Sequence, residues 1–120
     1  VFSSITLIED NSLLIEVISS LNSFKSNSIK SIEVETTNLE EVEIATKEKV
    51  HRIMLANMNN DLLKSALEII PEDIETEASG NMTLDRVKSV AQLGVNFISV
   101  GALTHSSPTA DISLIFEWGN

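Results

Sequence analysis

The chain has 120 residues, 18 acidic and eight basic, for a formal charge of −10, with 42% apolar content and no cysteine or tyrosine. This length fits one compact α/β-sized domain and falls short of the roughly 250 residues of a complete eight-fold (β/α) barrel. The apolar share excludes a disordered acidic tail, no apolar run approaches the roughly 20 residues that span a bilayer, and the acidity argues against nucleic acid or membrane partners.

In chain order, the apolar pattern predicts a strand at Ser4–Glu9 and a helix carrying Leu13, Leu14, Val17, Ile18 and Leu21 on one face. The first 31 residues are dense in serine, and no Gly or Pro linker separates them from the rest, so the helix belongs to the same domain. A second strand is expected at Ile32–Glu35. Its helix carries Leu39, Val42 and Ala45, with Asn38 and Glu41 spaced as a capping pair in which each side chain satisfies an orphan amide of the first turn. The third strand, Arg52–Leu55, leads to Leu62, Leu63, Ala66, Leu67 and Ile70, and Pro71 stops that helix. The fourth, Ile74–Ala78, leads to Leu84, Val87, Val90 and Ala91, followed by Gly94 where a left-handed turn suits glycine. The fifth is Asn96–Val100, and Ser107 before Pro108 would start a short fifth helix. Strand alternating with helix five times means an α/β fold of five βα units on a parallel sheet.

Central strands of a doubly wound sheet, covered on both faces, read as continuous apolar runs. Here Ile32 and Val34 alternate with Glu33 and Glu35, Ile53 and Leu55 with Arg52 and Met54, and Ile74 and Thr76 with Glu75 and Glu77. One face is therefore apolar and helix-covered while the other carries charge, as in a barrel wall whose interior is an active site. Arg52 is placed to sit between Glu33 and Glu75 on neighbouring strands. The alternative is a merely solvated sheet face. His51, at a strand entrance, reads as a solvated turn residue because no triad partner lies near it in sequence. Trp118, with Ile115 and Phe116, reads as a packing anchor or self-association patch.

Several stretches carry a resemblance. They are Ile32-Glu33-Val34-Glu35, Arg52-Ile53-Met54-Leu55-Ala56-Asn57-Met58, Glu77-Ala78-Ser79-Gly80-Asn81, the run from Gly94 to Ser106, and Asp111-Ile112-Ser113-Leu114. In order and spacing these resemble the C-terminal part of the quinolinate phosphoribosyltransferases, the nicotinate-nucleotide pyrophosphorylases of NAD synthesis. The resemblance implies a partial (β/α) barrel and a reaction that joins quinolinate to phosphoribosyl pyrophosphate with magnesium, losing carbon dioxide and pyrophosphate. It implies that Glu35 faces the ribose and, weakly through it, the metal. It assigns one phosphate loop to Ser79, Gly80 and Asn81, and a second to Gly101, Ala102 and His105. Phosphates in such barrels do sit on loops after the last strands, where amides and a helix N-terminus point outward. Each glycine read alone, without the resemblance, is better taken as an ordinary strand-to-helix turn.

The departures weigh against catalysis. The family pattern has an aspartate where this chain has Ala56, and a lysine and a histidine where it has Glu9 and Ser12. A substrate dicarboxylate meeting Glu9 would be repelled. The only arginines, Arg52 and Arg86, match neither of the family's substrate-gripping motifs. Removing one preorganised charge commonly costs about a hundredfold. Two function classes follow: a phosphoribosyltransferase-type site with residual phosphate loops and no tightly bound cofactor beyond a possible Mg2+, or a non-catalytic scaffold, degenerate or engineered. The second is preferred for this chain alone. The segment Ile5–Leu14 also resembles the start of a response-regulator receiver domain, but Ala56 stands where the acceptor aspartate would end the third strand. Other expectations are a cytoplasmic location, since no cysteine calls for an oxidising compartment, and self-association through open sheet edges. The structural alternative is a monomeric flavodoxin-like open sheet.

Overall fold

The computed structural model describes residues 3–5, 15, 16, 18, 19, 32–101 and 114–117. Six strands form one sheet: β1 (Ser3–Ile5), β2 (Ile32–Thr36), β3 (Arg52–Ala56), β4 (Glu75–Ser79), β5 (Phe97–Val100) and β6 (Leu114–Glu117). Three helices connect the central strands: α1 (Leu39–Lys47), α2 (Asn60–Ile69) and α3 (Leu84–Gln92). Residues 15, 16, 18 and 19 are helical, and Ile18 is buried in the core.

The strands lie side by side in chain order, β1 to β6, with β1 to β5 parallel and β6 antiparallel to β5. Each βα unit therefore steps one strand further in the same direction. A flavodoxin-like sheet reverses direction at a switch point, and this order contains no reversal. The architecture is a stretch of barrel wall, and the sheet is not closed. The antiparallel β6 corrects the expectation of a wholly parallel sheet. Its signal, the apolar run Leu114-Ile115-Phe116, gives no direction, because direction is set by the length and course of the preceding connection. The predicted fifth helix at Ser107, the end of the first predicted strand, and Trp118 lie outside the described residues.

Local chemistry explains the element boundaries. Asn38 caps α1 by accepting from the Glu41 N–H at 2.9 Å. The Glu41 carboxylate reaches back to the Thr37 N–H and hydroxyl rather than to the Asn38 amide, so the reciprocal half of the cap is displaced by one residue. Asn59 and Thr83 cap α2 and α3 in the same way. Helix α2 ends at Ile69 because Ile70, preceding Pro71, is extended at ψ 124°. Gly94 takes the left-handed turn after α3 at φ +100°.

Alternation then sorts the side chains. Ile32, Val34, Ile53, Leu55, Ala78, Ile98 and Val100 join Val42, Ala45, Leu63, Ala66 and Val90 of the helices in one apolar core. Leu84, expected on the inward stripe of α3, is the first residue of that helix and is 75% exposed. His51 corrects another expectation. Its Nδ1 accepts the Ile32 N–H at 2.9 Å, and its backbone N–H donates to the Ile32 carbonyl at 3.0 Å, so it ties the entrances of β2 and β3 together.

Candidate functional site

Two polar regions lie on the side of the sheet away from the apolar core or at its carboxyl end. The first is the charged face itself. Register places Glu33 beside Arg52 and Arg52 beside Glu75, as the alternation predicted. The guanidinium lies 3.9 Å from Glu33, 3.4 Å from Glu75 and 3.8 Å from Glu77, and 3.8 Å from the centroid of the Phe97 ring. Glu33 and Glu77 are only 6% and 4% exposed, which overturns the solvated-face alternative.

Several of these contacts run diagonally. Arg52 reaches Glu77 as well as its register partner Glu75, and the Ser99 hydroxyl donates to Glu77, whose register partner is Phe97. Tilted barrel strands place residues of alternate strands in one interior layer. Glu33 of β2 and Glu77 of β4 meet in this way across β3. Burial, the hydrogen bond to Glu77 and the Glu77 charge together push the Glu33 carboxyl up to about 8, against the pull of Arg52.

The second region is the carboxyl mouth of the strands. Glu35 sits on the charged face near the end of β2, beside Met54 in register and half-buried. Ala56 ends β3 beside Ser79, with 4% exposure. The chain then turns through Asn57 at φ +56°, while the loop after β4 turns through Gly80 at φ +81° and Asn81 at φ +53°. These two loops interlock. The Asn57 N–H donates to the Ser79 carbonyl at 2.9 Å, and Asn81 Nδ2 donates to Asn57 Oδ1 at 3.3 Å. A Cβ on Gly80 would lie 2.1 Å from Asn57 Oδ1, so glycine is required both by its dihedral and by the neighbouring loop. An ordinary strand-to-helix turn would require the same glycine. Gly101 differs: a Cβ there would meet nothing within 4 Å. Ala102 and His105 lie outside the described residues, as do Glu9 and Ser12.

The sequence reading missed Asn57 and Arg86. Asparagine directly after a strand was the available signal for Asn57, because it tolerates the left-handed region better than most residues. Arg86 had no local signal: its Nε donates to Asn60 Oδ1 at 3.4 Å, its Nη1 to the carbonyls of Gly80 and Asn81 at 3.4 Å each, and its Nη2 to the Met58 carbonyl. A cavity of about 560 Å³ opens at the opposite, amino end of the strands, between Lys49, His51, Pro71, Asp73 and Glu75. It is far from the mouth, at the end of barrel folds where residues serve stability.

Comparison with known proteins agrees with this geometry. Residues 2–115 match the family model described as quinolinate phosphoribosyl transferase, C-terminal domain. The chain is 48% identical over 98 residues to the chloroplastic nicotinate-nucleotide pyrophosphorylase [carboxylating] of Arabidopsis thaliana, covering 69% of this chain and 28% of that protein. It is 45% identical over 86 residues to a probable nicotinate-nucleotide pyrophosphorylase of Synechocystis, covering 69% of this chain and 29% of that one. Among solved structures, the nicotinate-nucleotide pyrophosphorylase of Francisella tularensis superposes with a TM-score of 0.71 at 29% identity, covering 93% of this chain and 39% of that chain. The chain thus spans less than a third of the length of these curated relatives. Other relatives are named as mitochondrial, so the cytoplasmic expectation does not follow from kinship. Among the described residues no helix is long and apolar enough to cross a membrane. Sequence match, strand order and the interlocked mouth loops converge: the chain belongs to the quinolinate phosphoribosyltransferase family, as a portion of its C-terminal domain.

Proposed function

We propose that this chain carries the phosphate- and ribose-binding side of a phosphoribosyltransferase site and does not complete the reaction by itself. The observation that supports this reading is the turn at Ser79, Gly80 and Asn81, locked against Asn57 at the carboxyl ends of β3 and β4. Backbone amides held in such a turn donate to phosphate oxygens without reorganising. The half-buried Glu35 on the same end of the sheet would accept from ribose hydroxyls, and Gly101 begins the second loop of the expected cradle. The ligand class is phosphoribosyl pyrophosphate or a simpler sugar phosphate.

The metal is a different matter. Among the described residues no three His, Cys, Asp or Glu side chains come together as a cation cage, and Ala56 contributes no oxygen where the resemblance expects a carboxylate. These residues do not fit a protein-held magnesium, and the chain's own contribution is to phosphate and ribose. Loss of that carboxylate also removes a charge that would act on the ribose, which is the ground for reading the chain as non-catalytic.

A two-dimensional amide NMR titration with phosphoribosyl pyrophosphate tests the binding half. Shifts confined to Ser79–Thr83 and Gly101–Ser106 are expected, and a folded spectrum indifferent to the ligand overturns it. An assay of nicotinate mononucleotide formation tests the other half, with turnover above the uncatalysed rate as the overturning result. Ala56→Asp is expected to tighten magnesium-dependent binding of the same ligand. Self-association belongs to this reading too: among the described residues β6 pairs with the outer edge of β5, and no strand pairs with the outer edge of β1. A clean monomer by light scattering at high micromolar concentration would contradict it.

A further inference from the structure

His51 precedes β3, and its imidazole reaches across to the entrance of β2. Ile32 there is fully buried; its N–H donates to His51 Nδ1 at 2.9 Å and its carbonyl accepts the His51 N–H at 3.0 Å. A ring nitrogen accepts a hydrogen bond only when it carries no proton, so this contact selects the neutral imidazole with its hydrogen on Nε2. An imidazolium in the same place would set N–H against N–H. The buried Ile32 amide would then lose its partner, which costs far more than an exposed amide exchanging one partner for water.

The surroundings offer the ring a second position. The cavity of about 560 Å³ at this end of the sheet is lined by His51 itself, together with Thr46, Lys49, Asp73 and Glu75. Its charged walls come from different elements: Lys49 from the turn before β3, Asp73 from the turn before β4, and Glu75 from β4. Asp73 is exposed, and Glu75 lies 3.4 Å from the Arg52 guanidinium. Glu48, at the end of α1, accepts from the Ser19 hydroxyl at 3.3 Å. Two carboxylates against one ammonium make the cavity favourable to an imidazolium, and its opening admits water to the charge.

We propose that His51 is an acid-released clamp: neutral, it fastens the entrance of β2 to β3 through the Ile32 N–H, and protonated, it lets go and turns into the cavity towards Asp73 and Glu75. The clamped form cannot take a proton at Nδ1 and the released form can. Release is therefore favoured as pH falls through the ordinary imidazole range, around 6.5, and the clamp is complete above it. The strand it fastens is the one that carries Glu35 at its carboxyl end.

The test is amide hydrogen exchange of the isotope-labelled chain at pH 7.5 and 5.5, each rate divided by the intrinsic rate at that pH, with the nitrogen spectrum of the imidazole recorded alongside. Protection of the Ile32 amide is expected to fall about tenfold or more at the lower pH, the scale of one buried hydrogen bond, while Ile53 and Leu55 within β3 keep theirs. His51→Gln supplies an acceptor that does not titrate, and protection of Ile32 in that variant is expected to be the same at both pH values. Unchanged protection in the parent overturns the proposal, as does a ring spectrum at pH 7.5 that places the hydrogen on Nδ1. An equal loss in His51→Gln overturns it in favour of another titrating group. An equal loss at Ile53 and Leu55 overturns it in favour of general acid unfolding.

Discussion

The charged face around Arg52 and the mouth around Arg86 are each organised by one arginine, and they use it in opposite ways. Arg52 is surrounded by carboxylates and an aromatic ring, so its charge is neutralised within the interior layer. Arg86 is surrounded by neutral carbonyls, so its charge is solvated by the backbone of the mouth loops. A buried charge that meets its opposite is part of the scaffold. One that meets only neutral oxygens ties together the segments that carry them.

The sharpest way to break this comparison is Arg52→Met. Removing the guanidinium leaves Glu33 and Glu77 buried together without their counter-charge, and a loss of about 3 kcal/mol in urea unfolding is expected at neutral pH. A loss of only a few tenths would mean that the layer is far wetter than its burial indicates. At the mouth, Gly80→Ala forces a Cβ into Asn57 Oδ1 at φ +81°. We expect about 2 kcal/mol of destabilisation and displaced amide resonances at Asn57 and Asn81. An unchanged spectrum would show that the two loops are not interlocked.

Glu33→Gln sharpens the contrast through pH. The Glu33 carboxyl, raised from its ordinary value of 4.5 to about 8, keeps its proton in the folded chain while the unfolded chain releases it. The unfolded state then binds fewer protons, and stability falls as pH rises through that window. Urea denaturation at pH 5, 7 and 9 should show this decline in the parent, by at least about 1 kcal/mol, and a flatter profile for Glu33→Gln. Equal slopes would mean that Glu33 ionises normally. The smallest effect is expected from Asn38→Ala, which removes the α1 cap at a cost of about 1 kcal/mol and touches neither arginine.

These regions also differ in how far the sequence announced them. Alternation of Glu33, Arg52, Glu75 and Glu77 with apolar neighbours placed the charged face correctly, including the Arg52–Glu33 and Arg52–Glu75 pairs, because period-two patterning and adjacent parallel strands fix register. It did not reveal the diagonal Glu33–Glu77 contact, which depends on strand tilt rather than on any local pattern. At the mouth, Gly80 and Asn81 stand out only through family resemblance, whereas Arg86 matches no motif. Two of its partners, Asn60 and Met58, lie 26 and 28 residues away in the chain, and only the fold brings them to it. The antiparallel β6 was missed for a similar reason, since a short apolar run carries no direction. His51 looked solitary in sequence and gains its role from Ile32, 19 residues away.

The strictly sequential strand order has a consequence for how the chain acquires its shape. Neighbouring strands are bridged by contacts between residues only 19, 23 and 20 positions apart, as in Ile32–His51, Arg52–Glu75 and Thr76–Asn96. The loop-closure entropy of assembly therefore comes in small, similar steps instead of one large one. Each new strand needs only its predecessor as a template, so a growing chain can add one unit at a time in the direction of synthesis. A circle need not be completed before its arc is stable.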